Sequence, residues 1–163
     1  MPEISVIIPV YNASSFIAET LDSLARQTFS DFELICVDDG STDKTPQILE
    51  TYAKQDQRIV ILRQDNMGPG AARNKGLDSA RGNYVCMLDA DDLYDEQMLE
   101  IMHNRSLETD ADVVVCRCEM FDDQTGDALD AEWTVKDNQL PAEDTFTPED
   151  IPVSYTHLTL PTT

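Results

Sequence analysis

The sequence predicts an α/β fold built on a mostly parallel β-sheet with flanking helices. Four short apolar runs are each followed by a longer segment whose apolar residues recur at helical spacing. Turn-forming residues such as glycine, proline, serine and aspartate separate the two kinds of segment. A strand–helix alternation of this kind is typical of parallel sheets, because each crossover helix returns the chain to the same end of the sheet.

The first half of the chain contributes two strands and two helices. Ile4–Val10 is a continuous apolar run that predicts a buried strand. Residues 12–15 predict a turn, with a serine able to cap the helix that follows and runs to about Arg26. Phe32–Val37 predicts the second strand. A second helix is expected to open at Ser41–Asp43, with Pro46 tolerated in its first turn.

The second half continues the alternation. Ile59–Leu62 predicts a third strand, and residues 71–80 predict a third helix. Tyr84–Leu88 shows no alternation of apolar and polar residues, so we expect a fourth strand that is buried on both faces. A fourth helix over residues 96–107 and a fifth strand over Val113–Cys118 complete the predicted elements.

Charge and cysteine content argue against several classes of protein. The 163 residues include 32 acidic and 11 basic ones, for a net charge of −21. Nucleic acids and anionic membranes attract basic surfaces, so neither is an expected partner. Cys36 and Cys86 lie inside apolar runs, where a cysteine behaves as a small hydrophobic residue, and Cys116 and Cys118 are separated by one residue, which is not a usual zinc or redox spacing. This pattern favours a reduced, cytosolic protein. Neither a signal peptide nor a transmembrane helix is predicted.

The most informative feature is an acidic cluster, Asp89-Ala90-Asp91-Asp92, placed directly after the fourth strand. Open α/β sheets bind their ligands at the carboxyl ends of the strands. Carboxylates this close repel one another unless a cation or hydrogen-bond donors stabilise them. Because Mg²⁺ and Mn²⁺ are hard ions that share carboxylate and phosphate ligands, the cluster predicts a metal–diphosphate site.

Two other groups of candidate residues follow predicted strands. Tyr11 could stack on a planar base, or it could pack beneath the next helix, and the sequence leaves both interpretations open. Asp38 and Asp39 could accept hydrogen bonds from a base N–H or a ribose hydroxyl. For the adjacent Ser41–Asp43, helix capping is the favoured interpretation.

The glycine-rich segment Gly68–Gly76 is not a standard phosphate loop. It lacks the third glycine of a dinucleotide fingerprint, follows the third strand and not the first, and contains no Gly-Lys-Ser/Thr. Arg73 and Lys75 lie in the first helical turns, where the helix dipole disfavours cations. They could therefore face an anion, with Arg73 contacting a phosphate or base, or they could be surface cations beside an acidic cleft.

Two other acidic-site architectures fit poorly. A calcium loop that starts at Asp89 would need glycine at its sixth position and a ligand at its fifth, where Tyr94 and Leu93 stand. A receiver-type signalling domain would carry its acidic pair after the first strand, where this chain has Tyr11 and Asn12.

Four motifs in order closely resemble glycosyltransferase family 2 over about residues 4–118. They are Pro-Val-Tyr-Asn from Pro9, Asp-Asp-Gly-Ser-Thr-Asp from Asp38, Gly-Pro-Gly-Ala-Ala-Arg-Asn from Gly68 and Leu-Asp-Ala-Asp-Asp from Leu88. The resemblance implies a GT-A fold, which is a Rossmann-like, mostly parallel sheet with flanking helices. It also implies a nucleotide-sugar donor, most often a UDP-sugar, and identifies the chain as an N-terminal donor-binding portion truncated at its C-terminus.

The resemblance implies roles for single residues as well. Tyr11 and Asp39 would hold the base, with Arg73 beside it. Asp89 would approach the ribose and the metal, and Asp91 would bind the Mn²⁺ or Mg²⁺ that bridges the two phosphates. The complete set of donor-binding candidates is Pro9, Tyr11, Asn12, Asp38, Asp39, Arg73, Asp89 and Ala90, and the metal candidates are Asp89 and Asp91.

Members of this family transfer the sugar with inversion, using a carboxylate base that lies well downstream of the metal motif. No residue before Pro152 matches that base with confidence, so its identity stays open. Glu132, Glu143, Asp144 and Asp150 are candidates only because they are acidic.

The expected domain is residues 1–152, an incomplete donor-binding domain. Residues 153–163 resemble a translated sequencing adapter and are predicted to be a non-native tail. We expect metal-dependent transfer to a saccharide or lipid-linked acceptor in cell-surface polysaccharide biosynthesis, by a cytoplasmic protein whose full-length form could associate peripherally with the inner face of the membrane. The alternative function is a non-catalytic module that binds a nucleotide sugar or a divalent metal.

Overall fold

The computed structural model describes residues 1–116, 118–122 and 125–129. The chain divides into two units, residues 1–101 and the residues from 102 onward, and the boundary falls inside the fourth helix. The first unit contains the four-stranded sheet and every predicted donor-binding residue.

The central sheet consists of four parallel strands, β1 (Ile4–Val10), β2 (Phe32–Asp39), β3 (Ile59–Gln64) and β4 (Tyr84–Met87). Their spatial order is β3-β2-β1-β4, so the chain moves outward from β1 to β3 and then crosses to the other side of β1. The predicted parallel sheet is therefore confirmed. Such a reversal of direction opens a crevice at the carboxyl end of β1, where ligands of open α/β sheets bind.

Four helices accompany the strands: α1 (Ile17–Ala25), α2 (Thr45–Gln55), α3 (Pro69–Ser79) and α4 (Met98–Thr109). On one sheet face, α1 and α2 cover the larger core, because their inward side chains are apolar at helical spacing. The fully buried side chains of this core include Val6, Ile8, Val10, Ile17, Leu21, Leu24, Leu34, Cys36, Leu49 and Leu99. The serine cap predicted for α1 is absent, since the helix begins after Phe16 without a side-chain capping bond.

The opposite sheet face packs against α3 through a smaller core of Ile7, Ile35, Val37 and Ala72. Helix and sheet approach closely here because Gly76 has no side chain. A Cβ atom at this position would stand 2.4 Å from Cγ2 of Ile7, which is closer than any real contact. The glycine therefore sets the distance between α3 and β1.

We expect Gly76→Ala to destabilise the protein by about 1–3 kcal/mol, as overpacking of a tight core does. The cost arises because Ile7 is β-branched and buried, so its methyl group cannot move away easily. Urea denaturation would measure the loss. Gly70→Ala in the same helix is the matched control, because a Cβ there meets nothing within 4 Å. Equal stability of the two variants would contradict this role for Gly76.

A buried carboxylate holds together the amino-terminal ends of β1 and β2. Glu33 is only 3% exposed, and its Oε1 accepts hydrogen bonds from the Ser5 hydroxyl at 2.7 Å and from the backbone N–H of Arg81 at 2.8 Å. The guanidinium of Arg81 donates to Oε2 through Nε at 3.0 Å and Nη2 at 2.5 Å. Burial alone would raise the pKa of Glu33, but these hydrogen bonds and the positive charge of Arg81 outweigh it and lower the pKa.

The prediction that the fourth strand is buried on both faces is wrong. Val85 and Met87 are 43% and 41% exposed, while Tyr84 and Cys86 pack partly against the larger core. The reason is that α3 lies over β1 and β2 and does not extend over β4. An apolar run shows that a segment is suited to burial, but it does not show which elements are present to cover it.

The fifth strand predicted over Val113–Cys118 is also absent from the described part of that segment, which lacks only residue 117. Val113 and Val115 are exposed, and a strand requires a hydrogen-bonded neighbouring strand, which these two residues lack within the part of the chain that the structure describes. The strands described in the second unit are instead β5 (Met120–Phe121) and β6 (Ala128–Leu129), an antiparallel pair of two residues each. No helix among the described residues is long and apolar enough to cross a membrane.

Candidate functional site

The candidate site lies at the carboxyl edge of the sheet, where four loops follow the four parallel strands. The loops are residues 11–16 after β1, 40–44 after β2, 65–68 after β3 and 88–97 after β4. The donor-binding candidates all lie in these loops, in the last residues of β1 and β2, or in the first turns of α3. The structure thus brings residues 80 positions apart in sequence to one edge.

The first two loops are joined by hydrogen bonds around Asn12. Its backbone is left-handed, with φ of 50°, and its N–H donates to Oγ of Ser41 at 3.0 Å. Its side-chain Oδ1 accepts from the backbone N–H of Thr42 at 2.8 Å. Next to it, the ring of Tyr11 is 50% exposed, so it is not buried beneath the following helix. An exposed aromatic face beside a rigid loop is suited to stacking on a base.

The N-cap residue of α2 is Lys44, which makes no side-chain capping bond, and of the three residues for which capping was predicted only Asp43 bonds to the start of the helix. Asp43 accepts the backbone N–H of Thr45, the first residue of α2, at 2.9 Å, and it also accepts the N–H of Ser14 at 3.1 Å. Ser41 and Thr42 instead bond to Asn12 in the neighbouring loop. This cross-loop contact was missed because it joins residues 29 and 30 positions apart.

Asp39 is a buried carboxylate whose oxygens bind the loop after β3. Its Oδ1 accepts from Nε2 of Gln64 at 2.7 Å and from the N–H of Met67 at 2.9 Å, and its Oδ2 accepts from the N–H of Gly68 at 2.8 Å. Burial would raise the pKa of Asp39, but the hydrogen bonds from Met67, Gln64 and Gly68 outweigh burial and lower it.

A carboxylate has about four acceptor positions, so the loop leaves Asp39 room for about one more hydrogen bond. Its neighbour Asp38 is equally buried and faces the other side of β2. Oδ1 of Asp38 accepts the N–H of Ser41 at 3.0 Å, and Oδ2 lies 3.9 Å from Nε of Arg63. Asp38 therefore closes the turn after β2, while Asp39 is the carboxylate directed toward the loop that precedes α3.

Arg73 of α3 reaches across the edge to the acidic cluster. Its Nη2 lies 2.5 Å from Oδ1 of Asp89, and both side chains are partly exposed. This contact agrees with both interpretations of Arg73, because Asp89 is an anionic group and is also part of the acidic cluster beside which a surface cation was expected. Lys75 is directed elsewhere, donating to the backbone oxygen of Arg63.

The acidic cluster forms a turn in which the N–H of Asp92 donates to the carbonyl oxygen of Asp89 at 3.2 Å. Burial, followed by the negative charges of Asp91 and Asp89, raises the pKa of Asp92. Asp91 is exposed. Ala90 lies between the two metal candidates, and its carbonyl oxygen accepts the hydroxyl of Thr20 at 2.9 Å.

The donor set fits a Mg²⁺ or Mn²⁺ ion that is also held by phosphates. Over residues 1–116, 118–122 and 125–129, no three His, Cys, Asp or Glu side chains converge to hold a metal by themselves. Such a cage is not required, because Mg²⁺ in nucleotide sites commonly takes one or two carboxylates together with substrate phosphates and water. A bound cation would relieve the repulsion from Asp91 and Asp89, which adds to burial in raising the pKa of Asp92.

All four candidates for the catalytic base lie outside the described residues: Glu132, Glu143, Asp144 and Asp150. The predicted non-native tail over residues 153–163 also lies outside them. Sequence analysis also missed four polar residues that shape the site: Thr20, Ser23, Gln27 and Gln64. In the sequence, Thr20 falls at helical spacing from the apolar Ile17, Leu21 and Leu24, on the face of α1 that packs inward. A buried polar residue on such a face was the signal available in the sequence.

The chain matches the family model described as Glycosyl transferase family 2 over residues 5–158. Glycosyltransferase GlyG of Streptococcus pneumoniae serotype 4 (strain ATCC BAA-334 / TIGR4) is 38% identical over 124 residues, which are 76% of this chain and 41% of GlyG. The putative teichuronic acid biosynthesis glycosyltransferase TuaG of Bacillus subtilis (strain 168) is 46% identical over 110 residues, 64% of this chain and 44% of TuaG. The chain spans less than half the length of these relatives.

The chain is also similar to solved structures of glycosyltransferases. S. aureus TarS 1–349 in complex with UDP-GlcNAc superimposes with a TM-score of 0.62 at 38% identity, covering 66% of this chain and 32% of that one. The mannosyltransferase PcManGT from Pyrobaculum calidifontis, in complex with GDP-Man and Mn²⁺, gives a TM-score of 0.54 at 32% identity, covering 57% of this chain and 28% of that one.

Proposed function

Since this chain belongs to glycosyltransferase family 2, we propose that it supplies the donor-binding half of an enzyme that transfers a sugar from a nucleoside diphosphate. Its α/β fold is of the GT-A type, as in TarS. The observation that carries the proposal is the convergence of Tyr11, Asp39, Arg73 and Asp89 at the carboxyl edge beside β1. The nucleotide is uridine diphosphate, a choice supported by the TarS complexes with UDP and UDP-GlcNAc.

At the base end of the site, Tyr11 stacks on the uracil ring and Asp39 accepts a hydrogen bond from the base. The half-exposed ring of Tyr11 and the remaining acceptor position of Asp39 support these roles. Pro9 and Asp38 shape the strand ends beneath the nucleotide, and Asn12 holds the loop that carries Tyr11.

At the diphosphate end, Asp89 approaches the ribose and the metal, with Ala90 contributing backbone at the turn. Arg73 lies beside the base and pairs with Asp89. Asp91 and Asp89 hold the Mn²⁺ or Mg²⁺. The ion would neutralise the diphosphate and make it a better leaving group. A complex of PcManGT that contains Mn²⁺ supports this cofactor. The ion pair between Arg73 and Asp89 already orients both side chains before the donor binds, so donor binding does not have to order each of them separately.

Transfer proceeds with inversion. A carboxylate base takes the proton of the acceptor hydroxyl, whose oxygen attacks the anomeric carbon while the bond to the diphosphate breaks on the opposite side. The acceptor is a saccharide or a lipid-linked saccharide in cell-surface polysaccharide biosynthesis, by analogy with TuaG, a putative glycosyltransferase of teichuronic acid biosynthesis. We place the full-length enzyme in the cytoplasm, in peripheral contact with the inner face of the membrane.

Calorimetric titration of UDP into the protein, with and without Mn²⁺, tests the proposal. We expect binding that requires or is strongly strengthened by the metal. Circular dichroism on the same sample verifies the fold. A folded protein that binds UDP under neither condition would overturn the donor assignment. Metal-dependent binding by a full-length protein that transfers no sugar from any UDP-sugar would instead favour the non-catalytic module.

Tyr11→Ala should weaken UDP binding by about 1–3 kcal/mol, because the stacking contact with the base is lost. The loss should occur with and without Mn²⁺, since Tyr11 acts on the base and not on the phosphates. Tyr11→Phe is the control, because it keeps the aromatic face and removes only the hydroxyl. Calorimetry measures both variants, and a Tyr11→Ala protein that binds as tightly as the parent would show that the base lies elsewhere.

A further inference from the structure

Three buried polar side chains on α1 and just after it bind the loop that carries the acidic cluster. Thr20 is 0% exposed, and Ser23 and Gln27 are nearly as buried. Residues spaced by three and four positions share one face of a helix, and on α1 that face also carries Leu24 and packs inward. Burying a polar group is unfavourable unless it is hydrogen-bonded, so the partners of these side chains explain their presence.

The partners are backbone groups of the loop over residues 88–97. The hydroxyl of Thr20 donates to the carbonyl oxygen of Ala90 at 2.9 Å. The hydroxyl oxygen of Ser23 accepts the N–H of Tyr94 at 3.2 Å, while its own proton goes to the carbonyl oxygen of Thr20 at 2.7 Å. The side chains thus satisfy loop groups that have no partner in regular secondary structure.

Gln27 extends the same attachment to the end of the loop. Its Nε2 donates to the carbonyl oxygen of Asp95 at 2.6 Å, and its Oε1 accepts the N–H of Leu99 in α4 at 3.0 Å. The N–H of Thr28 adds a bond to the carbonyl oxygen of Glu96 at 2.8 Å. The loop is therefore held at its beginning, middle and end by one stretch of chain.

We propose that Thr20, supported by Ser23 and Gln27, is a positioning residue for the metal–diphosphate end of the site. Its bond to the Ala90 carbonyl oxygen fixes the peptide group that joins Ala90 to Asp91. This in turn fixes how the carboxylates of Asp89 and Asp91 are placed relative to each other. The inference rests on the proposed function, because it assumes that these carboxylates hold the metal. Thr20 touches neither nucleotide nor metal and acts only through the backbone of the turn.

The base end of the site is built separately. The loop of Tyr11 is attached to the loop after β2 through Asn12, Ser41 and Thr42, none of which bonds to the acidic turn. Loss of the Thr20 hydroxyl should therefore weaken metal-dependent binding of the diphosphate and leave recognition of the base intact. A merely structural role would weaken both together.

The test is calorimetry on the whole chain with two probes, UDP with Mn²⁺ and uridine monophosphate without metal. Thr20→Val removes the hydroxyl at nearly constant volume. We expect it to raise the dissociation constant for UDP–Mn²⁺ about five- to tenfold, the loss typical of one good hydrogen bond, and to leave that for uridine monophosphate unchanged. Thr20→Ser, which keeps the hydroxyl, should restore binding of UDP–Mn²⁺.

Thr51→Val is the matched control, because its hydroxyl bonds only within α2, to the carbonyl oxygen of Gln47. It should bind both probes like the parent. Ser23→Ala removes the hydroxyl that accepts the N–H of Tyr94, and so loosens the same loop at another point. It is the substitute test if Thr20→Val does not fold. It should show the same selective weakening of UDP–Mn²⁺.

Suppose that Asp91→Ala abolishes metal-dependent binding, as the proposed function requires. The inference about Thr20 is then overturned if Thr20→Val weakens the binding of both probes equally or changes the binding of neither. Failure of the proposed function has a different signature. If Asp91→Ala binds UDP–Mn²⁺ like the parent, the metal assignment itself is wrong and the inference about Thr20 falls with it.

Discussion

Asp91→Ala is expected to abolish the Mn²⁺-dependent part of UDP binding and to leave the fold intact. Asp91 is exposed and makes no core contact, so its removal costs no packing. It also removes one of the two negative charges that, after burial, raise the pKa of Asp92. The same removal takes away a hard oxygen ligand that an ion shared with phosphates requires.

The measurement is calorimetry of UDP with and without Mn²⁺, together with thermal denaturation. Asp65→Ala is the matched control, because it removes one negative charge from an exposed loop on the same edge of the sheet. If both variants lost metal-dependent binding equally, the effect would be one of net charge and not of ligation. Thermal stability equal to or above that of the parent is expected for Asp91→Ala.

Arg81→Met is expected to lower the free energy of unfolding at pH 7, because it leaves the buried Glu33 carboxylate without its charged donor. Two hydrogen bonds from the guanidinium are lost, while those from Ser5 and the backbone N–H of Arg81 stay. Methionine keeps much of the apolar stem, so the change reports the charge and the hydrogen bonds. Urea denaturation measures it.

The effect should depend on pH in a defined direction. The pKa of Glu33 is lower in the folded protein than the value of about 4.3 in an unfolded chain. Its contribution to stability is therefore complete above that unfolded value and is lost as the pH falls through the folded pKa. The difference between parent and Arg81→Met should shrink as the pH is lowered from 7 to 3. A difference that stays constant over this range would show that Glu33 is not the group responsible.

The strand–helix alternation, the parallel sheet and the edge that carries the site were all predictable from the sequence. The reason is that each depends on local pattern: apolar runs such as Ile4–Val10, helical spacing in α1, and polar residues placed directly after strands. Because parallel strands end at one edge, residues as distant as Tyr11 and Asp91 could be assigned to one site before any contact was known.

Contacts between segments could not be predicted in the same way. Nothing local indicates that Asp39 binds the backbone of Met67 and Gly68, or that Thr20 binds the carbonyl of Ala90. The exposure of Val85 on β4 likewise depends on where α3 packs, which is a property of the assembled sheet. Residues 113–118 resemble a strand by composition, yet a strand exists only where a neighbour completes its hydrogen bonds.

The way in which Asp39 binds the loop before α3 has a consequence for how this loop can vary. Two of its three partners are main-chain N–H groups, and the side chain of Met67 projects into solvent. The bond to Asp39 therefore does not depend on which side chain stands at position 67. Position 68 is restricted to glycine or a residue that tolerates a positive φ, because its φ is 88°. A saturation library at position 67 would therefore vary the rim of the candidate site while the loop stays anchored, which makes this position a starting point for altering the ligand preference of the proposed donor site.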